Sequence, residues 1–299
     1  MAKLIKCIPN FSEGRNQETI DGLVQIAKNV PGVTLLDYSS DASHNRSVFT
    51  LAGDDESIQE GAFQLVKYAS EHIDMTKHEG EHPRMGATDV VPFVPLKDIS
   101  VKETVEISKK VAQRINDELN IPIFLYEDSA SRPERKNLAK VRKGQFEGMP
   151  DKLLEEEWAP DFGERKIHPT AGVTAVGVRM PLVAFNVNLD TDNIEIANKI
   201  AKIVRGSSGG YKYCKGIGVM LEDRNIAQVS MNIVNYEKTP LYRVFETIRF
   251  EAARYGVNII GSEIIGLTPS KALIDCAEYY LQMEDFDYDN QILENLFLN

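Results

Sequence analysis

The chain has 299 residues, of which 42% are hydrophobic and 26% charged, and its formal net charge is −11 at pH 7. This balance is ordinary for a globular protein, and the length allows one large domain or two of about 150 residues. The negative charge argues against general nucleic-acid binding, which depends on a basic surface. No apolar run approaches the roughly 18 residues that a membrane span needs. Three scattered cysteines and an N-terminus without a long apolar stretch predict reduced thiols and a cytoplasmic location.

The first half of the chain follows the order β-α-β-β-α-β. An apolar strand, a turn-rich segment and a helix with one apolar face come first, then two strands, a long helix with an acidic start, and a closing strand. The predicted ranges are strand 4–9, helix 17–29, strands 33–38 and 46–53, helix 54–73 and strand 90–96.

The second half repeats the same order. The predicted ranges are strand 182–189, helix 193–205, strands 213–221 and 226–234, helix 241–255 and strand 257–265. A helix at 101–119, a strand at 121–127 and a charged, Pro- and Gly-punctuated region lie between the two copies, and a further helix is predicted at 270–282. We therefore predict an α+β fold of two ferredoxin-like (βαββαβ) lobes, residues 1–178 and 179–299.

Two strands of the second copy alternate between apolar and amide side chains. Asn186 and Asn188 share one side of the first strand, and Gln228, Ser230 and Asn232 share one side of the third. Such a face walls a polar cleft between the lobes or is simply solvated, and the sequence leaves both readings open.

The segment 78–89, an irregular stretch between a helix and a strand, is rich in histidine, carboxylate and arginine side chains. His82 lies there in a Pro- and Gly-rich context that suits general acid–base catalysis near neutral pH. Arg84 either forks onto a substrate carboxylate or forms a local salt bridge with Glu79, Glu81 or Asp89. His78 and His82 also match the zinc-protease pattern H-E-x-x-H, but Gly80 and Pro83 disfavour the helix that this motif requires. A zinc hydrolase remains an alternative, and we expect no metal.

Long stretches of the chain, in the same order, closely resemble glutamate formimidoyltransferases (glutamate formiminotransferases). They are CIPNFSEG at 7–14, NRSV at 45–48, GEHPRMGA at 80–87, WAPDFG at 158–163, GIG at 216–218, AQVS at 227–230 and VNIIGSE at 257–263. The resemblance covers essentially the whole chain.

The resemblance implies an enzyme of histidine breakdown that transfers the formimino group of N-formimino-L-glutamate to N5 of tetrahydrofolate, its co-substrate. It implies a homodimer and places the catalytic histidine at His82. Because animal enzymes fuse this domain to a cyclodeaminase, a cyclodeaminase here is expected as a separate protein. The family's folate-contacting loop falls on Gly163, Glu164, Arg165, Lys166, Ile167, His168, Pro169, Thr170, Ala171 and Gly172.

Other residues give weaker indications. Arg46 is a reasonable ligand for a substrate carboxylate. Arg142 either attracts the glutamate tail of the folate or, in the interpretation we favour, belongs to a solvated surface. Asp41, near a strand end, either orients His82 or a substrate amine, or belongs to an ordinary turn. Cys7 is interpreted as a buried strand thiol, since the expected chemistry needs no covalent intermediate. A folate-binding protein without turnover remains a further alternative.

Overall fold

The computed structural model describes residues 3–297, and the chain divides after Arg179 into two compact units. The strands of the first unit are β1 (Leu4–Cys7), β2 (Asn10–Phe11), β3 (Thr34–Asp41), β4 (Arg46–Gly53), β5 (Thr88–Lys97), β6 (Ile123–Glu127) and β7 (Thr174–Val178). Its α-helices are α1 (Gln17–Asn29), α2 (Asp55–His72), α3 (Val101–Leu119), α4 (Leu138–Arg142) and α5 (Gln145–Lys152). None of the helices in the described part of the chain has both the length and the apolar character of a bilayer span.

The described strands of the first unit form one mixed sheet. β1 and β2 lie in line between β4 and β5, and β3 pairs with the outer side of β4. Beyond β5, strands β7 and β6 add to the sheet in parallel. The predicted order β-α-β-β-α-β is present as β1, α1, β3, β4, α2 and β5. The prediction lacked β7, because a short, fully buried strand shows no alternation of apolar and polar residues.

Local signals start the three long helices of this unit. The side chains of Asn16, Asp54 and Ser100 accept hydrogen bonds from backbone N–H groups in the first turns of α1, α2 and α3. Ser100 and Glu103 complete a capping box, which satisfies two otherwise unpaired donors. The apolar sides of these helices then bury the main core of the unit against the sheet.

The two faces of the sheet are covered by different helices. Successive strand residues point to opposite faces, so Val91 and Val176 join the core under α1 to α3. Val90 and Ala175 point the other way and pack with Val141 of α4. Helices α4 and α5 therefore lie on the face opposite the long helices, which brings α4 over the start of β5.

The second unit has one antiparallel sheet with strand order β11-β8-β10-β9 in the described residues. Its strands are β8 (Val183–Leu189), β9 (Cys214–Leu221), β10 (Ile226–Ile233) and β11 (Ile259–Ile265), and its α-helices are α6 (Ile194–Val204), α7 (Leu241–Ala253), α8 (Ser270–Leu281), α9 (Tyr288–Gln291) and α10 (Leu293–Phe297). The elements β8, α6, β9, β10, α7 and β11 follow the predicted order.

One face of this second sheet is apolar and the other carries amides, as the alternation predicts. Val187 and Val229 lie in the core with α6 and α7, whereas Asn188 and Gln228 are cross-strand neighbours on the other face. Gln228 Nε2 donates to Asn188 Oδ1 over 2.7 Å, and Asn188 Nδ2 donates to Glu263 Oε1 over 3.2 Å. The amides of this face thus bind one another and Glu263, whose carboxylate also pairs with Arg224 over 3.5 Å.

Candidate functional site

Three loops of the first unit meet at Asn45, in the turn between β3 and β4. Asn45 Oδ1 accepts from the Gly14 N–H over 2.9 Å, and its Nδ2 donates to the Glu79 carbonyl oxygen over 2.9 Å. The loop at Gly80 packs so closely on the turn between β3 and β4 that a Cβ at Gly80 would collide with the His44 backbone. The N-terminal segments that carry the family resemblance, 7–14, 45–48 and 80–87, therefore converge on one place.

His82 lies at this junction, half-buried, beside Arg46 at the start of β4. Its Nδ1 is 3.1 Å from Arg46 Nη1 and 2.7 Å from the Pro83 carbonyl oxygen. A guanidinium only donates and a carbonyl only accepts, so these two contacts require opposite tautomers. Arg46 Nη1 makes its shorter contact with Asp89 Oδ2, at 2.9 Å, whereas the shorter contact of His82 Nδ1 is the one with the Pro83 carbonyl oxygen, at 2.7 Å. On these distances we assign the ring hydrogen to Nδ1, where it is donated to Pro83, and the lone pair to Nε2.

Arg46 belongs to a buried cluster of two arginines and one carboxylate, here called the arginine cluster (Arg46, Asp89 and Arg142). Asp89 Oδ2 accepts from Arg46 Nη1 over 2.9 Å and from Arg142 Nη2 over 2.5 Å. Asn10 Oδ1 accepts from Arg46 Nη2 over 2.7 Å. Two guanidinium charges face one carboxylate, so the arginine cluster carries a net charge of +1.

Arg142 reaches the cluster from the end of α4, and Lys152 holds that end in place. Lys152 Nζ donates to the carbonyl oxygens of Lys140 and Val141 over 2.7 Å each, and to that of Lys143 over 3.1 Å. Burial lowers the pKa of Lys152 to about 8. The interpretation of Arg142 as part of a solvated surface is wrong, because α4 folds onto the sheet and turns this side chain inward to Asp89.

The electrostatics of the site keep the His82 ring uncharged. Burial, followed by the positive charges of Arg46 and Arg142, lowers the pKa of His82 to about 4. Burial alone would raise the pKa of Asp89, but the two arginines outweigh it and hold that pKa below its usual value. At neutral pH the site therefore combines an ionised carboxylate with a neutral imidazole whose Nε2 can accept a proton.

A cavity of about 300 Å³ opens at this place, lined by Ser39, Asp41, His44, Arg46 and His82 among others. The His44 and His82 rings lie 6.1 Å apart between centroids. Asp41 pairs with His44, Oδ1 to Nδ1 over 3.1 Å, so it does not orient His82. The imidazole and one face of the arginine cluster are thus accessible to a small ligand.

Arg84, the second arginine of the segment, points elsewhere. Its Nε donates to His78 Nδ1 over 3.1 Å, and its two terminal nitrogens fork onto Glu147 over 2.9 and 2.7 Å. The remaining N–H groups reach Gln145 Oε1 and the His78 carbonyl oxygen, each over 3.1 Å. Of the two expectations for Arg84, a substrate carboxylate or a nearby acidic residue, the structure shows an acidic partner, but a distant one: Glu147, which ties the segment to α5. The role of Arg84 toward a substrate stays a prediction.

The H-E-x-x-H match does not have the geometry of a zinc protease. Residues 73–87 are not helical, and His78 Nε2 lies 2.9 Å from the Asn45 carbonyl oxygen while its Nδ1 accepts from Arg84. Within residues 3–297, no group of three or more His, Cys, Asp and Glu side chains is arranged to hold a metal. Cys7 is buried in β1, and burial raises the pKa of its thiol, so it is not an activated nucleophile.

The loop predicted to contact folate, 163–172, ends directly beside the segment that carries His82. The Ala87 N–H donates to the Ala171 carbonyl over 2.9 Å, and the Val173 N–H donates to the Met85 carbonyl over 3.1 Å. His168 Nδ1 accepts from the Ala171 N–H over 2.9 Å, which fixes its ring. Residues 163–166 are exposed, and Arg165 pairs with Glu156. The structure thus places the two predicted site segments together, with the role of each side chain still a prediction.

Sequence reasoning missed the parts of the arginine cluster that come from distant segments. Asp89 was considered only as a partner for Arg84, and Asn10 only as a turn residue. One signal was available for Asp89: a carboxylate at the start of an apolar, buried strand needs a charged or hydrogen-bonded partner. The identity of that partner depends on how α4 packs, which local patterns do not determine.

A neutral imidazole beside the arginine cluster, with its net charge of +1, is an arrangement typical of an enzyme site and suited to small anions and proton transfer. The comparisons with known proteins then identify the family. Residues 4–179 match the profile of the "Formiminotransferase domain, N-terminal subdomain" and residues 184–295 that of the "Formiminotransferase domain". The chain belongs to the formiminotransferase family.

Proteins from three organisms are similar to this chain over nearly its whole length. A "Glutamate formimidoyltransferase" of Streptococcus pyogenes serotype M1 is 82% identical and matches over 100% of both chains. A protein of the same name from Thermoplasma acidophilum is 46% identical, over 97% of this chain and 96% of its own. The mouse "Formimidoyltransferase-cyclodeaminase" is 44% identical over 95% of this chain, a match that spans 53% of the mouse protein.

Proposed function

We propose that the protein is a glutamate formimidoyltransferase, which transfers the formimino group of N-formimino-L-glutamate to N5 of tetrahydrofolate. The observation that carries the proposal is the neutral His82 ring, which lines a cavity together with Arg46. Full-length similarity to proteins of that name supports it. Both substrates carry carboxylates, and an arginine-lined site within an acidic protein supplies the local positive charge that they need.

The reaction requires two proton movements, which one imidazole can carry out. N5 of tetrahydrofolate attacks the formimino carbon and loses a proton, and the glutamate nitrogen gains a proton as its bond to that carbon breaks. In our proposal His82 Nε2 accepts the first proton and delivers it to the departing nitrogen. Such acid–base help contributes roughly 10²–10⁴-fold, and holding the two substrates together supplies the rest.

The folate partner is assigned to the neighbourhood of loop 163–172. The backbone bonds of Ala171 and Val173 to the 85–87 segment support this assignment, because they tie the loop to the segment of His82. We describe each unit as a ferredoxin-like lobe, the first extended by β7 and β6, on the basis of the β-α-β-β-α-β order. The polar cleft between the lobes, the homodimer, the separate cyclodeaminase and the cytoplasmic location stay predictions.

The test is a spectrophotometric transfer assay with formiminoglutamate and tetrahydrofolate on the parent and on His82→Ala. We expect kcat to fall by about 10²–10⁴-fold in the variant. His72→Ala is the matched control, since His72 lies on α2 and stacks on Tyr68 away from the site. Equal rates in parent and His82→Ala would refute the role of this histidine. Folate binding without any turnover in the parent would instead favour a binding protein.

A further inference from the structure

The charge around His82 is unbalanced in the free protein. The charged and titratable groups that face it are Arg46 from β4, Asp89 from β5, Arg142 from α4, and the Asp41–His44 pair from β3 and its following turn. Asp41 is exposed, so solvent screens its charge, whereas the arginine cluster is buried and screened far less. The net positive charge of the cluster therefore opposes protonation of the ring.

We propose that Arg46 anchors the α-carboxylate of the formimino donor, and that the bound carboxylate makes His82 an effective proton carrier. This inference rests on the proposed function, because it takes formiminoglutamate as the donor. The reacting nitrogen of that donor is bonded to the carbon that bears the α-carboxylate. The Arg46 guanidinium lies against the imidazole, Nη1 to Nδ1 over 3.1 Å, and both side chains line the cavity, so a carboxylate that Arg46 holds in the cavity brings the reacting nitrogen close to the ring. The γ-carboxylate, two carbons further along, lacks this proximity.

Charge balance links the binding of the α-carboxylate to the protonation of His82. One bound carboxylate cancels the net charge of +1 on the arginine cluster, and the ring then gains a proton at lower cost. His82 thus remains a weak base in the empty site and becomes a stronger base only when the donor is in place. A cavity of about 300 Å³ has room for a molecule of glutamate size.

Two unreactive isomers separate this inference from general anion binding. N-acetyl-L-glutamine keeps the α-carboxylate and has an amide at the γ position, and N-acetyl-L-isoglutamine has the reverse arrangement. The His82 ring signal, assigned by its loss in His82→Gln, is followed by NMR from about pH 8 to about pH 3, with and without saturating ligand. We expect N-acetyl-L-glutamine to raise the midpoint by about one pKa unit, a tenfold change in proton affinity, and the isomer to leave it in place.

The variant Arg142→Met allows a second titration experiment, on the protein without ligand. It removes one positive charge without touching the residues that line the cavity, so the His82 midpoint should rise before any ligand is added, and the ligand should then add less. Circular dichroism checks that the variant folds; if it does not, the isomer comparison decides alone.

An equal effect of the two isomers, or no effect of either up to the limit of solubility, would overturn the anchor. The titration uses neither tetrahydrofolate nor turnover. A failed transfer assay with a positive isomer result would therefore leave the carboxylate site standing, whereas an active enzyme with a negative isomer result would remove the anchor but keep the function.

Discussion

Two histidines that lie four residues apart in one segment each contact an arginine, and the two imidazole–arginine pairs differ in what surrounds them. In both, a histidine Nδ1 is 3.1 Å from an arginine nitrogen: His78 with Arg84, and His82 with Arg46. The first pair is closed, since His78 Nε2 bonds to the Asn45 backbone and Arg84 is neutralised by Glu147.

The second pair is open. Among the described residues His82 Nε2 has no hydrogen-bond partner, and Arg46 shares Asp89 with a second arginine. Residue type alone therefore does not make a site. A histidine beside an arginine is structural when every donor and acceptor has a protein partner, and chemical when one ring nitrogen and one positive charge remain for a ligand.

The largest expected difference between the two pairs is in how much their carboxylates contribute to the free energy of unfolding. Asp89→Asn leaves two buried guanidinium groups without their counter-charge, so we expect a loss of about 3–5 kcal/mol in the free energy of unfolding. Glu147→Gln, the matched substitution in the first pair, affects an exposed carboxylate and should cost at most about 1 kcal/mol. Urea unfolding of both variants measures this difference. Equal losses in the free energy of unfolding would show that Asp89 stabilises the arginine cluster no more than Glu147 stabilises Arg84.

A smaller effect separates the two histidines. His78→Ala removes the acceptor of Arg84 Nε and the donor to the Asn45 carbonyl, which should lower the free energy of unfolding by about 1–3 kcal/mol. Its transfer rate should stay close to that of the parent. His82→Ala should show the reverse, a stable protein with a low rate. If His78→Ala lost activity as deeply as His82→Ala while remaining folded, the division into a structural and a chemical pair would not hold.

Structural features that depend on short-range patterns could be predicted from the sequence. Alternation along 182–189 and 226–234 predicted the amide face of the second sheet, because strand residues point alternately to opposite sides whatever the rest of the chain does. The start of α2 was predicted from the acidic run 54–56, which suits the helix dipole, and the structure adds that Asp54 is the capping residue. His82 was predicted from the local density of polar residues and from the family resemblance.

What could not be predicted depends on contacts between distant segments. Arg142 was assigned to the surface because its charged neighbours suggested solvent, and only the packing of α4 on the sheet brings it to Asp89. Arg84 was expected to take one of three nearby acidic residues, yet its partner Glu147 lies on α5. The charge balance of the site, which separates the two pairs, is therefore a property of the fold and not of the segment.

The most direct test of the central claim is an NMR measurement of the His82 ring in the free protein. The ring nitrogen and carbon shifts, assigned with His82→Gln, report both the tautomer and the titration midpoint. We predict an unprotonated Nε2 at neutral pH and a pKa of about 4, which means that lowering the pH through 6.5 leaves this ring uncharged. A midpoint at or above 6.5, or a ring hydrogen on Nε2, would contradict the account.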